Sequence, residues 1–228
     1  MTQSPTDTAD HASELDAEHP DTPADTGFAV TDRGPFPRFL PWLVLVGGGI
    51  GLLAAFVLTV ERIALLQDPS YVPSCSINPL FSCGSVMEQP QAAVFGFPNP
   101  LVGIAGFGIV ATIGAAILAG ATFARWFWLG LQAGVLFGIG FVHWLIYQSL
   151  FSIGALCPYC MVVWLVMIPI FWYVTLHNLS TGALPVPRSL RGVVRIVTPS
   201  HGLLLLLWYL VIVALIGIRF ADYWSSLL

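Results

Sequence analysis

The stretch Gln148–Trp164, QSLFSIGALCPYCMVVW, lies within a run from Trp126 to Pro187 that contains no Asp, Glu, Lys or Arg. An apolar helix needs about 20 residues, rising about 1.5 Å each, to cross a ~30 Å hydrocarbon core. The run is too long for one span, and it divides at "QSLFSIGALCP" into one near Trp126–Gln148 and one near Cys157–Leu176. The dividing segment leads into Cys157 and Cys160, a C-x-x-C pair. In soluble thiol oxidoreductases this spacing follows a strand of a small α/β domain. No strand–helix–strand pattern surrounds it here, which excludes a glutaredoxin-type domain.

Working outward, the 228 residues are 57% hydrophobic and 9% charged, with a mean hydropathy of +0.83. A soluble domain carries about 25% charged residues, so the composition is that of a membrane protein. Three further spans complete the count at five: Phe39–Val60, bounded by Arg38 and by Glu61 and Arg62; about Pro98–Gly120; and Gly202–Ile218. The expected fold is all-α, a four-helix transmembrane bundle with a fifth transmembrane helix, occupying residues 35–228. Residues 1–34, rich in Asp, Glu, Pro, Ser and Thr and without hydrophobic periodicity, read as a disordered acidic tail. They lack the basic start and early apolar core of a signal peptide. Small residues at helical spacing in "GGGIG" of span 1, Gly103/Gly106 of span 2 and Gly130/Gly134/Gly138 of span 3 suit close helix packing in lipid. Pro169 would interrupt span 4 and kink it.

All eight basic residues are arginine. With the abundant Ala, Gly, Val and Leu, this points to a GC-rich bacterial genome. A cytoplasmic N-terminus places Arg33, Arg38, Arg125, Arg188, Arg191 and Arg195 inside and only Arg62 and Arg219 outside, as the positive-inside rule requires. The expected location is therefore the bacterial inner (plasma) membrane, multi-pass. Cys75 and Cys83 fall between spans 1 and 2, and Cys157 and Cys160 open span 4, two crossings later. Both pairs thus reach the outer, oxidising face, where disulfides persist, although the charge count made no use of them.

Cys157 and Cys160, three apart at the first turn of a helix, share a face. A helix N-terminus lowers a cysteine's pKa, and Pro158 suits the first turn. A reversible disulfide is the reading favoured over a permanent staple or over half of a zinc site, since C-x7-C is not the usual short zinc knuckle. No metal is expected. Cys75 and Cys83 lie in "SCSINPLFSCGSVMEQPQAAVFGFPNPLVG", whose prolines mark an irregular loop rather than a helix. A mobile dithiol there would collect electrons from a soluble protein and pass them to Cys157/Cys160, the alternative being one structural disulfide. Such a relay needs a terminal two-electron acceptor, and a membrane-dissolved quinone is the available one.

A C-x7-C loop between the first two spans, then C-x-x-C at the outer end of the fourth, with "CSINPLFSCGSVM" and "VFGFPNPLVGI", resembles the bacterial branch of the vitamin K epoxide reductase family over about Pro41–Leu176. The resemblance implies a quinone-dependent protein-dithiol oxidoreductase that generates disulfides for oxidative protein folding. The quinone is of the vitamin K type, menaquinone in a GC-rich Gram-positive host. The thiol partner implied is a secreted or membrane-anchored thioredoxin-like protein of the DsbA type. By motif position, Cys75 would exchange with that partner, Cys83 would attack Cys157, and Cys160 would reduce the quinone. Many relatives carry a thioredoxin-like domain after the fifth span; here the chain ends at "DYWSSLL", so that domain is expected as a separate protein. Relatives often have Ser or Thr before the proline that follows the loop cysteines, where this chain has Gln89 before Pro90. Gln89, Ser85 and Asn99 are therefore candidates to orient the quinone carbonyl.

Further candidates for the quinone pocket are His143, an ionisable residue within a span, with Tyr147 one turn away, and Trp164. Asn178-Leu179-Ser180 matches a glycosylation sequon but falls on the inner side, so it is read as chance. No nucleic-acid-binding patch is found. The competing readings are an unrelated four-helix periplasmic thiol:quinone oxidoreductase, whose second cysteine pair lies in a loop, and a non-enzymatic membrane scaffold with structural disulfides.

Overall fold

The computed structural model describes residues 36–185, 192 and 196–225. The acidic tail and Arg188, Arg191 and Arg195 lie outside them. Five helices are long and apolar enough to cross a membrane: α1 (Phe39–Gln67), α3 (Pro100–Leu118), α4 (Arg125–Tyr147), α5 (Pro158–Ser180) and α6 (His201–Arg219). A short α2 (Cys83–Met87) and a 3₁₀ turn (Pro90–Ala93) lie between α1 and α3, and α7 (Ala221–Ser225) ends the described chain. No strand forms among the described residues. The protein is thus all-α, with five membrane-length helices.

Two boundaries differ from the sequence reading. Span 1 does not stop at Glu61 and Arg62 but continues to Gln67, because Glu61 is buried and its carboxylate accepts hydrogen bonds from the loop beyond. The loop is not wholly irregular either: Ser82, in extended conformation, caps α2 by accepting the Ser85 N–H, so Cys83 opens a helix.

The division of the long uncharged run occurs where its residues demand it. The helix α4 passes into a π-helical turn, Gln148–Ile153, which Gly154 ends at φ 71°, a left-handed conformation that glycine adopts without Cβ strain. Three residues later Cys157 caps α5 in extended conformation and Pro158 takes the first helical position, where its missing N–H leaves no bond unmade. Pro169 lies inside α5, which continues as helix to Ser180.

The helix α1 packs on α3 and α5, and α4 packs on α5. At the α1–α3 contact, a Cβ added to Gly48 would stand 2.7 Å from the Ala111 nitrogen and one at Gly51 would enter the Phe107 ring. A Cβ on Gly114 would strike the backbone of Leu45, and one on Gly103 would lie 2.9 Å from the Ala55 Cβ. These glycines serve helix packing as expected. Gly106, Gly130 and Gly134 do not: a Cβ on any of them would meet nothing within 4 Å, and all three face a cavity instead. The α4–α5 contact carries a polar cluster, with Asn178 fully buried and donating to Trp128 O (3.3 Å) and Gln132 Oε1 (2.9 Å).

The helix α6 lies outside this four-helix group, with Ile212 its one buried residue. Side chains attach it: Trp208 Nε1–H donates to His143 Nε2 (3.0 Å), Tyr209 OH to Leu165 O (2.6 Å) and Arg219 Nε–H to Leu150 O (2.9 Å).

Overpacking a tight contact costs about 1–3 kcal/mol. Gly114→Leu should therefore lower the thermal unfolding midpoint of the detergent-solubilised protein. Gly49→Ala, where a Cβ meets nothing within 4 Å, should leave it unchanged or slightly raised.

Candidate redox site

The two cysteine pairs meet at one end of the bundle, and a short backbone pairing brings them together. The Asn78 side chain accepts the Leu80 and Phe81 N–H groups (3.0 and 2.7 Å), folding "CSINPLFSC" into a tight turn. The turn then pairs with the segment before α5: Leu156 N–H donates to Leu80 O (2.8 Å) and Ser82 N–H to Leu156 O (3.0 Å). This parallel bridge sets Cys83 beside Cys157.

Cys75 and Cys83 are joined as a disulfide with Cα atoms 5.5 Å apart, while Cys157 and Cys160 are free thiols. Cys83 Sγ lies 3.0 Å from Cys157 Sγ, and the sulfurs of Cys75, Cys83 and Cys157 all lie within 4.8 Å of one another. With two of the three in one disulfide, the cluster is arranged for exchange rather than for metal ligation. Leu58, Leu65 and Met87 pack around it. Both loop cysteines are buried, so the dithiol expected to be mobile is here held shut.

Cys157 sits where the sequence places it, at the start of α5. A hydrogen bond from the Cys160 thiol, aided by the backbone N–H groups of Cys160 and Tyr159, holds its thiol below the ordinary range, against the opposing effect of burial.

Cys160, in the first turn of α5, reaches a different surface. A cavity of about 530 Å³ runs between α3 and α4 from Met87, Asn99 and Cys160 at the redox end to Trp126 and Phe127 at the other. Of the four cysteines only Cys160 lines it. Trp164, one turn deeper on the same face, also lines it and is buried. Its indole N–H has no hydrogen-bond partner in the structure, an exception to the rule that buried donors are paired. Asn99 lines it too, while its amide accepts the Val94 N–H (3.1 Å) and donates to Gln91 O (2.7 Å).

The chain's match to the family model described as "Vitamin K epoxide reductase family" covers residues 42–175, and that interval contains every residue of this site. The chain belongs to the vitamin K epoxide reductase family. No curated protein matches it significantly. The family is one of quinone-linked thiol oxidoreductases, and the cysteine cluster fits a redox role. Its apolar cavity, with Cys160 and Trp164 in the wall, suits a quinone.

The other sequence candidates are placed elsewhere. Ser85 is on the exposed side of α2, its hydroxyl 2.9 Å from Ser82 Oγ, and Gln89 caps the 3₁₀ turn through its backbone. Tyr147 is exposed against Phe151. His143 faces α6: its Nδ1 lies 2.9 Å from Ile139 O while Nε2 accepts from Trp208, which fixes a neutral tautomer with the proton on Nδ1. Glu61 was not among the candidates. Its spacing from Leu58 and Leu65 places it on the α1 face that packs on the cysteines, and that periodicity is the signal that could have marked it.

The Cys157 pKa gives a test with a definite sign. With Cys75 and Cys83 replaced by Ala, the thiolate absorbance of Cys157 should persist as pH falls below the ordinary thiol midpoint of about 8.5. Cys160→Ala in that background removes the principal hydrogen bond and should move the midpoint upward.

Proposed function

We propose that this chain oxidises a thioredoxin-like protein of the DsbA type and delivers the electrons to a quinone, making disulfides for oxidative protein folding. The observation that carries the reading is the continuous line of sulfurs, Cys75–Cys83, Cys157, Cys160, which begins in a loop and ends in the wall of an apolar cavity. Cys157 at a helix start and Cys160 inside α5 argue against the unrelated four-helix oxidoreductase, whose second pair lies in a loop.

In the proposed cycle, a partner thiolate attacks Cys75 and Cys83 leaves as a thiolate. The partner's second thiol then resolves the mixed disulfide, so two electrons now rest on Cys75 and Cys83. Cys83 next attacks Cys157 in a Cys157–Cys160 disulfide, releasing the Cys160 thiolate. Cys75 then attacks Cys83, restoring Cys75–Cys83 and freeing Cys157. The structure has the sulfur connectivity of that stage, one loop disulfide and two free thiols. A quinone in the cavity supplies a two-electron, two-proton acceptor. Loss of two electrons and two protons from Cys157 and Cys160 re-forms their disulfide, and the low Cys157 pKa keeps one of the two thiols ready to ionise. Trp164 and Asn99, which line the cavity with Cys160, would flank the quinone there.

The arginine asymmetry supports an N-terminus in the cytoplasm of a bacterial cell and both cysteine pairs outside. Arg38 and Arg125 stand at the starts of α1 and α4, remote from the cysteines, whereas Arg219 bonds to Leu150 at the cysteine end. A GC-rich Gram-positive host would favour menaquinone as the acceptor.

Quinone reduction by purified protein given a dithiol donor tests the reading. Cys160→Ala should abolish it and accumulate mixed disulfides with the partner; unchanged reduction would sink the mechanism. Trp164→Ala, which removes a buried aromatic wall of the cavity, should raise the KM for quinone.

A further inference from the structure

Glu61 is a carboxylate buried at 7% exposure near the end of a membrane-length helix, and the mechanism above makes no use of it. The cost of burying such a group is offset only if it is hydrogen-bonded or paired. Among the described residues, the partners that bond to this carboxylate are all uncharged and all come from the loop that carries Cys75. Ser74 donates its hydroxyl at 2.5 Å and its backbone N–H at 3.3 Å, and Tyr71 donates its phenol at 2.9 Å. The same contact shows from the other side, since the hydrogen bond to Glu61 raises the pKa of Tyr71.

Ser74 is the residue before Cys75, so the clamp acts on the backbone that carries the outermost sulfur. Cys75 is itself buried at 5% exposure, too deep for a folded protein's thiol to attack. Ser74 and Tyr71 present their side chains at the surface, and of the two residues between them Val72 is 71% exposed while Pro73 is buried. The segment is therefore held from beneath by buried Pro73 and by the Glu61 carboxylate.

We propose that Glu61 is the positioning residue of the Cys75 loop. Its carboxylate latches Ser74 and Tyr71 so that Cys83 is held against Cys157 for inward exchange, and release of the latch presents Cys75 to the protein partner. The inference rests on the thiol-relay reading of the two pairs, and it adds the element that separates the relay's two tasks. In the latched state the disulfide is shielded from outside and aligned with Cys157. In the released state an external thiolate attacks Cys75 Sγ, the Cys75–Cys83 bond breaks, and Cys83 leaves as a thiolate. No further oxidant or reductant is needed.

The test follows the opening of the Cys75–Cys83 disulfide in the full-length protein carrying Cys157→Ala and Cys160→Ala, so that neither quinone nor the inner pair takes part. Reduced thioredoxin and dithiothreitol serve as attacking thiols, and opening is read by thiol labelling and gel mobility. Glu61→Gln, a near-isosteric neutral residue, and Ser74→Ala, a change at an exposed side chain, should each speed opening by thioredoxin about fivefold or more. Dithiothreitol, being small, should gain less. Because both variants break the same contact, the double variant should be no faster than the quicker single one, a coupling of the kind a double-mutant cycle isolates. Thermal midpoints measured alongside separate latch release from unfolding, and Ser74→Ala keeps the proposal testable if Glu61→Gln does not fold. Opening rates within twofold of the parent, equal gains for both thiols, or strictly additive effects would overturn the latch. Failure of quinone reduction in the wild-type protein would instead overturn the proposed function, because the latch assay contains no quinone.

Discussion

Leu156 is the residue of extended backbone through which the redox end of the molecule is assembled. Its N–H and C=O both pair with the loop, at Leu80 and Ser82. Leu156 is fully buried, and buried non-helical backbone is tolerated only where its polar groups are met inside the protein. The break between α4 and α5 therefore needs a partner strand, and the cysteine loop supplies it. The same two bonds bring Cys83 to Cys157, so the solution to a backbone problem is also the alignment of the relay. The Asn78 turn, the Ser82 cap and the position of α2 all depend on this docking, and Cys160 reaches the cavity because α5 starts where the pairing ends.

The bundle around this junction is uneven for a physical reason. Small residues bring α1 and α3 to backbone contact, and α5 fills the groove between α1 and α4. The face left between α3 and α4 is walled by glycines that touch nothing. Small residues in a membrane helix thus have two uses that look identical in sequence. One admits a neighbouring backbone, as at Gly48 and Gly114. The other withholds a side chain from a space, as at Gly106, Gly130 and Gly134.

Much of the architecture was legible in the chain because the bilayer imposes lengths. Five apolar stretches of spanning length, a division marked by Gly154 and Pro158, and the parity that sends both cysteine pairs to one end all follow from hydropathy and helix geometry. What escaped depends on partners distant in sequence. Glu61 looked like the end of a span because a charge usually is one; it lies within the helix because Ser74 and Tyr71 come back to meet it. His143 was a pocket candidate because it is an ionisable residue within a span; its imidazole accepts from Trp208, 65 residues later in the chain. Gln89 was a candidate because it precedes Pro90, where relatives often have Ser or Thr, with Ser85 as an alternative, and both belong to the capping of two short helical turns. Asn99 and Trp164 reached the cavity wall because each is fixed to an element that borders it.

The attachment of α6 has a consequence for what counts as the minimal unit of this protein. The match to the family ends at residue 175, inside α5, which would make the last long helix an appendage. Yet α6 hides little of itself and supplies three side chains to groups on its neighbours. Arg219 satisfies the Leu150 carbonyl, one of the last four carbonyls of its helix and so without a helical donor, and Trp208 satisfies the His143 imidazole. Stripped of α6, both acceptors would lose these donors. The first four long helices are therefore incomplete as a lipid-soluble object, and the fifth closes their polar account at the turn that leads into Cys157.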